Sequence, residues 1–554
     1  MFWLTLLTVS VARAADGPRY EGPPNGIFTQ GDASVAAFIA AKNAEADAWI
    51  GGDPGADWRA GVPPWTADPG LPAIPHASVD LSRLEPGSEA PRSLPGRVNR
   101  AAWLDPQLPA GFLARGSAAG VPWLDGRRVA GAAGREAVWT GVGAGGALLL
   151  VIEPDGASRL LGIDPRHPAI DPAELVLGSG AEAPVVDARP LGDALLLIRW
   201  VDGLAVLERV IPHTGARERT SIRATGGLAF GPRRGDKYTI LSYGIEGERA
   251  WEVGAEGEPV PTGPGRPVKV ETLLAPAGDT TVPITLVEPA GVEIAPDAPL
   301  LVHVYGGFGR FTSVDDAGIN QAWLRAGGRV AAVHPRGGGE RGPTWHAAGR
   351  GADKLQTVID TVTAVAFLQA SGRGTPERTA LWGESNGGLI AAAAAARAPD
   401  RFGAVVAGVG PYDLVEAAGL ATFEERRALP AGSILPRPDH PEAWWNGPEY
   451  PAAPSAAARA LSPVYTVPEK LPPILLFTGA SDQVVNPVHS VRLAAAWDEI
   501  PGGPVLLQVH PTSTHGPPPG SCWFGWSSSQ GAITADALSF VVRALGLAGP
   551  DPAS

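Results

Sequence analysis

The chain has 554 residues, too many for one ordinary domain, and its 44% hydrophobic and 18% charged residues describe a globular protein with ample core. A formal net charge of −13 argues against a nucleic-acid partner and against an anionic membrane surface. The single cysteine, Cys522, excludes an intrachain disulfide and any cysteine-built metal site.

In chain order, Phe2 to Val11 is an apolar run, and Ala12-Arg13-Ala14 after it offers an Ala-x-Ala cleavage site. Residues 1–14 therefore read as a signal peptide, and a secreted or periplasmic location is expected. The run is too short to span a bilayer, and no other stretch resembles an integral membrane segment. Asp32 to Trp49 reads as a helix, with Val35, Phe38, Ile39 and Ala46 at helical spacings. Residues 15–70 form an N-terminal helical segment on this reading, and a Pro- and Gly-rich passage runs from Gly51 to about Pro95.

Residues 71–265 form an all-β domain of short strands separated by turns. Ala194 to Trp200 and Leu204 to Ile211 are strand-like, and the Asp202-Gly203 between them predicts a hairpin. Repeated hairpins suggest a propeller or a sandwich. At ~40–45 residues for a blade of four strands, the region holds about four blades or an irregular cap.

From residue 266 to 554, strands alternate with helices. Predicted strands are Pro299 to Tyr305, Val330 to Val333, Phe402 to Ala407 and Pro473 to Phe477. Predicted helices are Gln356 to Gln369, Val488 to Asp498 and Ala532 to Leu545. This alternation predicts an α/β fold, a mostly parallel sheet with helices on both faces. Inside it, Gly383-Glu384-Ser385-Asn386-Gly387 reads Gly-x-Ser-x-Gly between an apparent strand, Arg378 to Trp382, and an Ala-rich helix, Leu389 to Arg397. A nucleophile elbow needs that setting, because a sharp strand-to-helix turn exposes the serine hydroxyl above the sheet.

A serine nucleophile needs a base, and the base needs an orienting carboxylate, in the chain order Ser, Asp, His at strand ends. Asp482 follows the strand that ends at Phe477. His515 follows the strand Val505 to His510. His510 is the competing base, but it ends the strand itself, where a side chain is more often structural. A Gly-rich loop, Tyr305-Gly306-Gly307-Phe308-Gly309, ends an earlier strand and could offer an N–H or the Tyr305 hydroxyl to an oxyanion. The N–H of Asn386 is placed to do the same. No metal cluster, phosphate loop or dinucleotide fingerprint calls for a cofactor, and Gly337 to Gly339 lack the phosphate-loop Lys and Ser/Thr.

Taken together, Ala277 to Pro283, Tyr305 to Phe308, Arg336 to Glu340 with Gly342 and Trp345-His346, Gly383 to Gly388, Leu461 to Pro463, Asp482 to Ser490 and His515-Gly516 resemble the peptidase domain of the prolyl oligopeptidase family of serine peptidases. The resemblance covers nearly all of 268–547. It implies an α/β-hydrolase capped by a β-propeller that admits short peptides, with Ser385 as nucleophile, Asp482 as orienter, His515 as base, and the Tyr305 hydroxyl and Asn386 N–H as oxyanion donors.

Three departures stand against it. The β region is too short for the family's seven blades. Prolyl members place a substrate-binding Arg where this chain has Val484, which removes a charge-assisted hydrogen bond. The proline-stacking Trp is missing from the stretch Ala421 to Ala428, where Phe423 could form an apolar wall. Glu424 and Glu425 there read either as solvated helix charges or as attractors of a basic side chain, and Trp444, Trp445 and Trp523 are further pocket candidates. The expected activity is a monomeric oligopeptidase acting on short peptides. An esterase on the same triad and a non-catalytic binding module are the alternatives.

Overall fold

The computed structural model describes residues 33–50, eight strands between 100 and 175, and 185–547 apart from 212–215, 263–264, 315–317, 417–448, 453, 481, 483, 511–514 and 516–531. The leader-like residues 1–14 and the pocket candidates Phe423, Glu424, Glu425, Trp444, Trp445 and Trp523 lie outside the described residues. The chain divides into two compact units, one of 1–65, 267–339 and 345–554, the other of 66–266 with 340–344.

In the second unit the described strands form four consecutive four-stranded sheets, beginning at Arg100, Glu136, Val185 and Gly227. Every neighbouring pair is antiparallel and consecutive in sequence, the meander from which propeller blades are built. The Asp202-Gly203 hairpin forms as its sequence predicts. Both residues take positive φ (47° and 89°), and Val201 pairs with Leu204 across the two-residue loop. That left-handed pair matches the twist of the flanking strands, which is why Asp-Gly suits it. Leu195, Leu197, Val210, Val185 and Ala188 form a buried core within this sheet.

The first unit is built on an eight-stranded sheet. Its strands are β1 (Val268–Ala277), β2 (Thr280–Pro289), β3 (Leu300–Val304), β4 (Arg329–Val333), β5 (Thr379–Glu384), β6 (Ala404–Gly408), β7 (Ile474–Gly479) and β8 (Val505–His510). They lie in the order β1-β2-β4-β3-β5-β6-β7-β8. The β1–β2 and β2–β4 pairs are antiparallel, and all pairs from β4 to β8 are parallel. The helices of this unit include α1 (Ala33–Ile50), α2 (Gly318–Arg325), α3 (Leu355–Ala370), α4 (Asn386–Arg397), α5 (Val488–Trp497) and α6 (Ala532–Ala544). The central strands are mostly apolar: all residues of β4, β6 and β7 are buried, Arg329 and Thr478 among them, as a sheet covered on both faces requires.

One of these helices positions the site and another closes the sheet. Asn386 to Ala396 of α4 are all buried, so this helix is apolar all round rather than amphipathic. Its run of alanines packs into one core with Val302, Leu381, Val405 and Leu476 of the sheet. The other is α1, which covers the free edge at β8. Asn43 Nδ2 donates to the Val509 carbonyl at 3.2 Å, and Val509 N–H donates to Asn43 Oδ1 at 2.8 Å. One side chain thus supplies the pairing that a ninth strand would. Trp49 packs against Phe540 of α6 at 5.3 Å, and Lys42 pairs with Asp498. Among the described residues, no helix is long and apolar enough to cross a membrane.

Candidate active site

Ser385 stands between β5 and α4 with φ 55° and ψ −123°, a left-handed backbone that a residue with a β-carbon rarely adopts. The turn is kept tight by what surrounds it. Ser385 N–H donates to the Gly408 carbonyl at 2.9 Å, and Ser385 carbonyl accepts from Leu389 N–H at 3.2 Å. A β-carbon on Gly383 would lie 2.1 Å from the Gly387 carbonyl oxygen, and one on Gly387 would lie 2.3 Å from that of Val304. Both glycines are therefore steric requirements of the elbow.

His515 Nε2 lies 3.0 Å from Ser385 Oγ, and His515 Nδ1 lies 2.8 Å from Asp482 Oδ2. The Asp482 side chain is fully enclosed, and that of His515 is 11% exposed. The other carboxylate oxygen, Asp482 Oδ1, accepts the N–H groups of Val484 and Val485 at 2.8 and 2.9 Å. These bonds fix the carboxylate so that one oxygen remains for the imidazole. With Nδ1–H given to Asp482, Nε2 is left as the acceptor that a serine hydroxyl requires.

Tyr305 follows β3. It keeps some exposed surface, yet the surrounding protein pushes its hydroxyl pKa up, and that hydroxyl hydrogen-bonds the Ser385 side chain. Asn386 begins α4, where the first amides have no acceptor within the helix. Its side chain does something the sequence did not suggest: Nδ2 donates to the Tyr305 carbonyl at 2.5 Å, and Oδ1 accepts from the Tyr450 hydroxyl at 3.2 Å.

Below the loop lies a charged cluster with no local sequence signal. Lys354 is completely buried and donates to the Gly306 carbonyl at 2.8 Å and to Glu449. Glu449 also accepts from His346 Nε2 at 2.7 Å and from the Phe308 N–H. Burial opposes ionisation of Glu449, but Lys354 and these donors outweigh it and hold the carboxyl below its usual pKa. Of the sequence-predicted site residues, Ser385, Asp482, His515, Tyr305 and Asn386 are brought together. Val484 is half-buried and acts on Asp482 through its N–H. His510 makes no bond to Ser385 or Asp482; burial lowers its pKa, with Asp536 and Asp47 acting the other way.

An eight-stranded α/β sheet that presents a hydrogen-bonded Asp–His–Ser line on a nucleophile elbow defines the α/β-hydrolase class. Residues 316–548 match the family model described as "Prolyl oligopeptidase family". The match lies almost wholly within the unit that carries the Asp–His–Ser line and covers less than half of the chain. The dual function macrocyclase-peptidase POPB of Amanita bisporigera is 31% identical over 281 residues, 48% of this chain and 35% of that protein. The prolyl endopeptidase of Elizabethkingia miricola is 28% identical over 285 residues, 50% of this chain and 37% of that protein. The chain thus spans little more than a third of these relatives' length. The structure of prolyl oligopeptidase B from Galerina marginata, bound to a 25mer macrocyclization substrate, superposes with a TM-score of 0.62 at 19% identity. That match covers 79% of this chain and 63% of that one. The fold is accordingly an α/β-hydrolase with a β-propeller domain.

Proposed function

We propose that this protein is a monomeric serine oligopeptidase acting on short peptides. The unbroken line from Asp482 through His515 to Ser385 carries the reading. Ser385 Oγ attacks the scissile carbonyl carbon while its proton passes to His515 Nε2. The resulting oxyanion accepts from the Tyr305 hydroxyl and the Asn386 N–H. His515 then gives the proton to the leaving amine, and the C–N bond breaks to leave an acyl-Ser385 ester. Water, deprotonated by His515, attacks that ester and releases the acid, which restores the Ser385 hydroxyl. Asp482 stays ionised throughout and holds the imidazolium.

One observation favours an ester substrate as a second reading. At the position where prolyl members carry a substrate-binding arginine, Val484 offers an uncharged side chain, and its N–H is already bonded to Asp482. Peptides lose an anchor there, whereas a short ester would not use it. Ser385→Ala is expected to abolish both hydrolysis and labelling by a fluorophosphonate probe. Wild-type protein assayed on Pro-, Arg- and Ala-containing peptides beside p-nitrophenyl esters separates the readings. Unchanged labelling of the Ser385→Ala variant would refute the nucleophile assignment.

A further inference from the structure

Glu449 and Tyr450 are consecutive, buried residues outside any helix or strand, and they reach the two proposed oxyanion donors by different routes. The Glu449 carboxylate takes the Phe308 N–H directly, and through Lys354 it controls the Gly306 carbonyl. These two backbone groups flank Gly307 in the loop that leaves Tyr305. The Tyr450 hydroxyl donates to Asn386 Oδ1, and Asn386 Nδ2 donates to the Tyr305 carbonyl. The Tyr450 ring also meets the Phe308 ring edge-on at 5.8 Å, and Lys354 Nζ lies 5.9 Å over the Tyr450 ring.

The loop needs holding. Gly306, Phe308 and Gly309 have φ of 61°, 57° and 60°. Phe308 is the only one of the three with a β-carbon, and a left-handed Phe is strained, so it persists only where its surroundings over-determine it. Apolar packing could bury such a loop at lower cost than an enclosed Lys–Glu pair, because desolvating two charges is expensive. What the pair adds is direction: its hydrogen bonds tie the Gly306 carbonyl and the Phe308 N–H. Gly351 N–H in turn bonds the Glu449 carbonyl at 3.0 Å and anchors the brace to the segment that carries Lys354.

We propose that Glu449 and Tyr450 are positioning residues for the oxyanion site. Glu449 sets the left-handed turn that aims the Tyr305 hydroxyl, and Tyr450 locks that turn to the first residue of α4 through the Asn386 side chain. The inference rests on Ser385 being the nucleophile. Neither residue touches a reacting atom, so the effect falls on stabilisation of the transition state rather than on substrate binding.

The test compares the full chain with Tyr450→Phe, Glu449→Gln and Glu449→Asp, by p-nitrophenyl butyrate turnover, fluorophosphonate labelling rate and thermal melting. Tyr450→Phe keeps the ring contact with Phe308 and deletes one hydroxyl. It should lower kcat about 10-fold with KM changed less than about two-fold, since small misplacements of catalytic groups are costly. Labelling should slow in proportion. Glu449→Gln should cost about 100-fold, with partial recovery in Glu449→Asp, on the same ground. If Glu449→Gln does not fold, Tyr450→Phe decides alone. A Tyr450→Phe variant that melts earlier but keeps its kcat and labelling rate shows a merely structural contact and overturns the proposal. Wild-type protein that neither labels nor turns over the ester would overturn the Ser385 reading and this inference with it. An active wild type with an unaltered variant overturns this inference alone.

Discussion

Ser385 combines an unfavourable backbone with an exacting side-chain geometry. Its positive φ lifts Oγ off the sheet toward His515, and the strain is met by the backbone bonds at Gly408 and Leu389 rather than by the side chain. The opposite arm of the site is Tyr305. Burial keeps this phenol's pKa above its usual value, and the repulsion from Glu449 adds to it while Arg310 opposes. The hydroxyl therefore stays protonated through the neutral range and remains a hydrogen-bond donor, as the proposed oxyanion role requires. Removing such a donor typically costs about 10²–10³ in kcat. Tyr305→Phe is expected to lose activity on that scale at unchanged KM, with fluorophosphonate labelling slowed but not abolished. Steady-state kinetics on one ester substrate checks this, and a variant with wild-type kcat would remove Tyr305 from the oxyanion site.

At the scale of elements, the parts that sequence revealed and the parts it hid differ by the range of the forces involved. The strands β4, β6 and β7 were legible because burial on both faces leaves an apolar run in consecutive residues. The elbow was legible because its glycines and serine are neighbours in sequence, although the contact that demands Gly387 comes from Val304 of β3. Asp482 and His515 could be placed because a strand end precedes each. The β1–β2 hairpin and the helix α2 were not foreseen as elements, and α4 starts at Asn386, three residues before the Ala-rich run suggested. Glu449 was not found at all, because its partner Lys354 is 95 residues away and a buried charge looks in sequence like an exposed one. The bridging of Val509 by Asn43 is hidden for the same reason, since the two lie 466 residues apart. Edge strands expose unpaired backbone groups, and Asn43 satisfies two of them on β8. Replacing it leaves a part-buried N–H and C=O without their partner, at a cost of about 1–3 kcal/mol for such groups. Asn43→Ala is therefore expected to lower the melting temperature while leaving ester turnover at low temperature near wild type. An unchanged melt, or a selective loss of kcat, would contradict this role for α1.

For the whole molecule, the two units carry opposite responses to acid. In the α/β-hydrolase unit His303, His489 and His510 are held below the ordinary histidine pKa chiefly by burial, with His489 reaching about 3. The unfolded chain binds protons at these histidines first, so stability is lost as pH falls from about 6.5 toward their folded values. Glu288 and Glu449 add to the trend. Burial opposes their ionisation, but Arg329 and Lys269 around Glu288, and Lys354 and His346 around Glu449, pull both carboxyls down. Their contribution is present above the unfolded carboxylate pKa of about 4.3 and disappears as pH falls through the lower folded values. In the β-propeller unit the sign reverses. Burial raises the pKa of Asp187 and of Glu246, against Arg189 in the first case and Thr225 in the second. Those two carboxyls take up protons in the folded state first, so acid relieves a cost there instead of creating one. The described part of the propeller unit contains no histidine to act the other way. Calorimetry between pH 7 and pH 4 should show a transition that moves to lower temperature with acid and coincides with loss of fluorophosphonate labelling. A second transition should not move to lower temperature over the same range. The sharper test is His489→Phe, which removes a buried histidine held at about 3: if the α/β-hydrolase transition of this variant keeps the full wild-type pH slope, the buried histidines are not what acid attacks.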